Sequence, residues 1–155
     1  MLHTVLIVLH AAAALVCFAA GVLSLGLRAA TCGRFRLYFW SLLAMLLFMA
    51  AAIAVHWAAL DTTTRLIFLG LGALGLYMVW RAARASTRLR RQDHDWQPRY
   101  VDDIGFTLIA LFDGFVIVAA IDLGAPVWLV VLIAIAGVLG GIQAMTRVKA
   151  RLARP

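Results

Sequence analysis

Three ionisable side chains lie within strongly hydrophobic stretches of this sequence. They are His10 in LIVLHAAAALV, His56 in AAIAVHWAAL and Asp113 in TLIALFDGFVIVAAID. An ionised group at the centre of a bilayer costs about 2.5–3.5 kcal/mol on insertion scales, so each is by default a functional hypothesis. Imidazoles on two different helices suit axial haem ligation or a small metal site. A histidine near an aspartate also suits proton transfer, because histidine changes charge near neutral pH.

The elements that position these groups follow from composition. The chain of 155 residues is 65% hydrophobic and 14% charged, with a mean hydropathy of +0.99. A soluble domain of this size has too little interior to bury so much apolar surface. Hydrophobic runs long enough to span a bilayer predict five transmembrane helices at residues 4–27, 37–60, 66–82, 104–121 and 126–146. We therefore predict an all-α polytopic membrane protein, an antiparallel bundle forming one domain over residues 1–155.

The net charge of +7 is distributed unevenly along the chain. Only Arg65 lies between the second and third helices, and the basic loop of residues 83–100 is the longest connection. This positive-inside pattern predicts an outer N-terminus and a C-terminus in the cytoplasm. It favours anionic lipid headgroups over nucleic acid as the partner. The other basic residues form three groups: Arg28, Arg34 and Arg36; Arg81, Arg84, Arg88, Arg90, Arg91 and Arg99; Arg147, Lys149, Arg151 and Arg154.

This topology gives the three ionisable groups a common depth. His10 and Asp113 lie about two turns, and His56 about one turn, inside the outer helix ends, at 1.5 Å rise per residue. We therefore predict a site near the periplasmic side in which Asp113 meets His10 and His56, with both histidines also as candidate cofactor ligands. Each has a structural alternative: His56 as an interfacial ring, His10 bonded to a neighbouring helix, and Asp113 bonded to a backbone carbonyl.

The spacing of small and polar residues along the predicted helices indicates which helix faces pack against protein. His3, His10, Cys17 and Ser24 recur every seven residues and predict a polar stripe that faces protein rather than lipid. Aromatic residues mark the predicted inner ends (Tyr38, Trp40, Trp80, Tyr100) and outer ends (Trp57, Trp128). In the fifth helix, small residues predict close packing within the bundle or against a second copy in a homo-oligomer: Ala136, Gly140 and Ala144 on one face, with Gly137 and Gly141 beside it.

Three functional hypotheses remain open, and whether the protein is an enzyme is undecided. The first is a redox role with haem b, a quinone or a metal bound at the histidines. The second is a proton-coupled transporter or channel using Asp113, and the third a non-catalytic assembly or lipid-interacting protein. Bis-histidine haem requires the first two helices to stand across the bundle from each other, because directly packed helices lie only about 8–10 Å apart. The chain has no glutamate, which excludes paired-glutamate di-iron and H-E-x-x-H chemistry.

Two segments resemble a family of small bacterial predicted membrane proteins of unknown function. GRFRLYFWSLLAMLLFMAAAIAVHW is similar to the family's second helix, and RLIFLGLGALGLYMVWRAARA to the next. The Leu9-His10 pair early in helix one is similar too, so the resemblance extends to about residue 90. It implies a helical membrane fold and a bacterial origin, and no activity. Where that family often has a His-Arg pair before helix two, this chain has Thr31 and Cys32 in TCGR, which removes a cytoplasmic-side histidine.

Overall fold

The computed structural model describes residues 1–25 and 32–152, and all regular structure in these ranges is helical. Five helices each have the length and apolar character needed to cross a membrane. Large apolar side chains are exposed along them, as expected for surfaces that contact lipid. The predicted end of the first helix at residue 27, together with Arg28, Thr31 and Arg154, lies outside the described residues. The helices are α1 (Leu2–Leu25), α2 (Cys32–His56), α3 (Thr62–Arg91), α4 (Trp96–Asp122) and α5 (Val127–Leu152), with a 3₁₀ helix at Trp57–Ala59.

Local sequence signals explain where the helices begin and end. Asp61 caps α3, its carboxylate accepting hydrogen bonds from the Thr64 amide at 3.2 Å and from the Thr64 hydroxyl. After α4, Gly124 has φ +75°, and the amide of Ala125 donates to the carbonyl of Ala120 at 2.9 Å. A left-handed glycine with this backward bond is a common helix terminator. It turns the chain sharply from α4 into α5.

The basic segment predicted as a loop over residues 83–100 is mostly helical. α3 continues to Arg91 and α4 begins at Trp96, so only residues 92–95 separate the two helices. The segment AARASTRLRR contains no glycine or proline and is rich in strong helix formers, which explains the extension. The turn itself has positive φ angles at Gln92 (48°) and Asp95 (60°).

The chain divides into two compact units, Met1–Arg81 and Ala82–Pro155, with the boundary inside α3. The single domain predicted for residues 1–155 therefore stays a prediction. In the first unit, α1 packs directly along α2, and the Cys17 thiol donates to the Tyr38 carbonyl at 3.7 Å. Of the predicted stripe on α1, Cys17 and Ser24 are buried as expected, whereas His3 and His10 are only partly buried. The buried residues of this helix are Ala14, Cys17, Ala20, Gly21 and Ser24.

In the second unit, α4 packs against α5 in antiparallel register. Three positions at a spacing of four residues carry the contact: Gly105 meets Met145, Ile109 meets Gly141, and Asp113 meets Gly137. A Cβ at any of these glycines would overlap the side chain opposite, so the small residues permit the close approach of the helices. By contrast, Gly140 has open space beside it.

Two of the predicted aromatic anchors have a different role. Tyr38 and Tyr100 are fully buried, whereas Trp40, Trp80 and Trp128 are at least half exposed. A fully buried tyrosine packs within protein and does not sit at the lipid–water boundary. The tryptophans keep the exposure that an interfacial residue requires.

Candidate ligand-binding site

Three of the four histidines line one cavity in the first unit. The cavity, of about 290 Å³, lies where α1 begins, α2 ends and α3 begins. His3 and His10 come from α1 and His56 from α2, while Thr64 adds a hydroxyl from α3. The rest of the lining is apolar: Ile7, Met49, Ala52, Ile53, Leu60 and Phe68. An apolar pocket with a few convergent polar groups is the usual form of a small-molecule site.

The His3 and His56 side chains form the polar edge of this cavity. Their ring centroids lie 4.0 Å apart with planes tilted by 48°. Nδ1 of His3 is buried and makes no hydrogen bond to any described residue. A buried nitrogen without a partner costs the folded protein about 1–3 kcal/mol.

His10 is held differently from the other two histidines. Its Nδ1 lies 2.9 Å from the carbonyl oxygen of Met45 on α2. A carbonyl can only accept, so Nδ1 must carry the hydrogen, and in the neutral ring Nε2 is left as an acceptor. The bonding alternative predicted for His10 is thus confirmed, and the same residue also lines the cavity.

Asp113 lies in the second unit, on α4, where its Oδ1 atom rests against Gly137 of α5. Its predicted meeting with His10 and His56 stays a prediction. The structure does bring together His10 and His56, both of which line the cavity, and adds His3 beside them. Sequence reasoning did not include His3 in the site because the first helix was predicted to begin only at residue 4. The seven-residue spacing from His3 to His10 was the signal that could have identified it.

The donor set limits the chemistry of this cavity. α1 and α2 pack directly against each other and do not stand across a bundle, the arrangement predicted to be required for haem held by His10 and His56. Within residues 1–25 and 32–152, no three His, Cys, Asp or Glu side chains are grouped closely enough to hold a metal ion. The cavity instead combines imidazole hydrogen-bonding groups with an apolar wall, which suits a mostly apolar ligand that has a few polar atoms.

The structure thus shows five helices long and apolar enough to cross a membrane and a histidine-lined cavity formed by residues of the first three. Comparison of the chain with protein-family models, curated proteins and solved structures gave no significant match. The functional argument therefore depends on the geometry of the site.

Proposed function

We propose that the cavity of the first unit binds the head group of a lipid-soluble quinone and gives the protein a redox role in the membrane. The observation that carries this proposal is the lining of the cavity, where His3, His10 and His56 bring imidazole groups to an otherwise largely apolar wall. A quinone ring is flat and apolar, and its two carbonyl oxygens accept hydrogen bonds. It therefore complements imidazole donors in an apolar wall.

The dimensions and lining of the cavity support this ligand class. Its volume of about 290 Å³ is near the lower end of the roughly 300–1,000 Å³ of small-molecule pockets, which fits a single ring better than a porphyrin. Phe68 and Ile53 provide apolar contacts for the faces of such a ring. His3 and His56 lie near the start of α1 and at the end of α2, and in the proposed topology a molecule dissolved in the bilayer reaches them there.

The imidazoles have separate tasks in this proposal. His3 and His56 donate hydrogen bonds to the carbonyl oxygens and orient the ring, and His10 holds α1 against α2 through Met45. A bound quinone would supply two-electron redox chemistry coupled to two protons. Imidazoles suit such a site because they exchange protons near neutral pH.

We infer the orientation of the protein from its charges. Basic residues concentrate at the C-terminal ends of α3 and α5, and such residues favour the cytoplasmic side and its anionic headgroups. The N-terminus and the cavity are then periplasmic, and the membrane is the bacterial inner membrane. The exposed small residues Ala136, Gly140 and Ala144 of α5 fit contact with a second copy in a homo-oligomer.

Quinone binding to the full chain in lipid nanodiscs tests the proposal. Decylubiquinone is titrated into nanodiscs made from quinone-free lipid, and quenching of tryptophan fluorescence reports binding. We expect saturable binding that His3→Leu and His56→Leu each weaken about tenfold, the loss of one hydrogen bond of about 1.4 kcal/mol. His94→Leu is the matched control, since His94 is an exposed histidine of the second unit.

Three outcomes of this experiment contradict quinone binding. One is the absence of saturable quenching, which would favour a non-catalytic assembly role. Another is equal affinity in the wild type and both cavity variants. The third is a haem absorption band in the purified protein that is lost in His10→Ala and His56→Ala.

A further inference from the structure

The second unit contains a carboxyl group that the proposed quinone site does not use. Asp113 is the only ionisable residue between positions 104 and 120 of α4. Its Oδ1 atom is buried and makes no hydrogen bond to any described residue, while the residue as a whole is partly exposed. Ionisable residues at such positions in membrane helices commonly mark pathways for protons or ions.

The surroundings of Asp113 are built by close packing of α4 on α5. Oδ1 lies against Gly137, where a Cβ would overlap it. One turn further along the same interface, Ile109 packs against Gly141. The Asp113 carboxyl therefore lies at one end of a row of regularly spaced contacts between α4 and α5. Any larger residue at position 137 would displace it.

No basic side chain among the described residues of α4 and α5 forms an ion pair with the Asp113 carboxyl. The other carboxylates near the start of α4 are paired: Asp102 with Lys149 at 2.7 Å and Asp103 with Arg88 at 2.5 Å. Facing Asp113 from α5 is Gly137, and residues 128–146 contain no ionisable side chain. Two carboxylates at the start of α4 thus have basic partners, whereas Oδ1 of Asp113 has no hydrogen-bond partner among the described residues.

We propose that Asp113 is a proton-binding site between α4 and α5, taking up and releasing a proton while its Oδ1 remains against Gly137. Gly137 is a positioning residue, because its missing side chain leaves the space that the carboxyl fills. The partly exposed side of Asp113 leaves the carboxyl open to an apolar reagent dissolved in the lipid. This inference is independent of the histidine cavity, so either proposal can fail without the other.

Carbodiimide labelling of the full chain in lipid vesicles tests this site. Dicyclohexylcarbodiimide is apolar and attacks protonated carboxyl groups in membranes, and peptide mass mapping locates the adduct. We expect labelling of Asp113 that falls as the pH rises and is lost in Asp113→Asn. A water-soluble carbodiimide is expected to prefer the exposed Asp93 and Asp95.

Two glycine variants separate the positioning of the Asp113 carboxyl by Gly137 from a general loss of helix packing. Gly137→Ala is expected to change the labelling rate of Asp113 at least several-fold, because the new Cβ displaces the carboxyl. Gly140→Ala on the same helix has open space and is expected to label like the wild type. Absence of an Asp113 adduct, labelling that does not vary with pH, or equal rates in both variants would overturn the proposal.

Discussion

The imidazole rings of His3 and His56 lie 4.0 Å apart across the α1–α2 interface, and the Nδ1 atom of His3 is buried without a hydrogen bond to a described residue. Two helices thus bring two polar rings together beside an apolar cavity. An arrangement that served stability alone would satisfy this nitrogen or replace it with carbon. The unsatisfied nitrogen lowers the stability of the ligand-free protein, and the first prediction follows from this loss of stability.

His3→Leu is expected to leave the ligand-free protein as stable as the wild type or more stable, by up to about 1 kcal/mol, because it removes a buried unsatisfied nitrogen. His10→Leu is expected to lower stability by about 0.5–1.5 kcal/mol, because it removes the bond to the Met45 carbonyl. Thermal unfolding in one detergent compares both variants with the wild type. A large loss of stability in His3→Leu would show that this ring is structural.

Two ion pairs of the second unit, Arg88–Asp103 and Lys149–Asp102, are expected to differ in strength. Asp103 is buried, its side chain only 3% exposed beside Arg88, whereas Lys149 and Asp102 are 34% and 45% exposed. Arg88→Met is expected to cost roughly 3–5 kcal/mol, because it removes the cationic partner of a buried carboxylate. Lys149→Met is expected to cost about 0–1 kcal/mol. Similar unfolding temperatures for the two variants would contradict this ranking.

Helix contact through glycine gives a separate stability prediction. Gly141→Leu is expected to destabilise the second unit by about 1–3 kcal/mol, because the new side chain collides with Ile109. Gly140→Leu points into open space and is expected to change the stability of the chain little. The comparison is made by thermal unfolding in detergent that keeps the protein monomeric. Equal losses in both variants would indicate that α5 packs on α4 through another face.

Cysteine labelling tests the inferred orientation. In a chain with Cys17→Ala and Cys32→Ser, Leu123→Cys and His94→Cys introduce single thiols at highly exposed sites. A membrane-impermeant maleimide added to intact cells with a permeabilised outer membrane is expected to label Leu123→Cys only. The reagent is expected to label His94→Cys after the inner membrane is opened. The reverse pattern would place the histidine cavity on the cytoplasmic side.

Much of the fold was predictable because hydrophobic runs and helical periodicity are local properties of the sequence. Cys17 and Ser24 lie inward as their seven-residue spacing predicts. The basic loop was predicted to be longer than it is, since hydropathy indicates where a helix leaves the membrane and does not indicate where the helix itself ends. Tyr38 resembles an interfacial anchor in sequence, yet tertiary packing buries it completely.

The candidate site was predictable only in part. His10 and His56 line one cavity, but they are offset along the helices, because His56 lies beside His3 and His10 beside Met45. The contribution of His3 depends on where α1 begins, and helix ends are poorly defined by sequence. Gly137 and Gly141 face α4, whereas Gly140 does not. This difference depends on how α5 is rotated about its own axis, and small residues on several faces of the helix do not determine that rotation.

Nitrogen NMR of the histidines measures the central claim most directly. The chain has four histidines, and single His→Gln variants of protein labelled with ¹⁵N-histidine assign each imidazole in lipid nanodiscs. On addition of decylubiquinone, we predict that the His3 and His56 ring nitrogens shift with saturable dependence on quinone. His94, exposed in the second unit, should remain unchanged. Unmoved His3 and His56 resonances, or shifts equal to that of His94, would contradict a quinone site in this cavity.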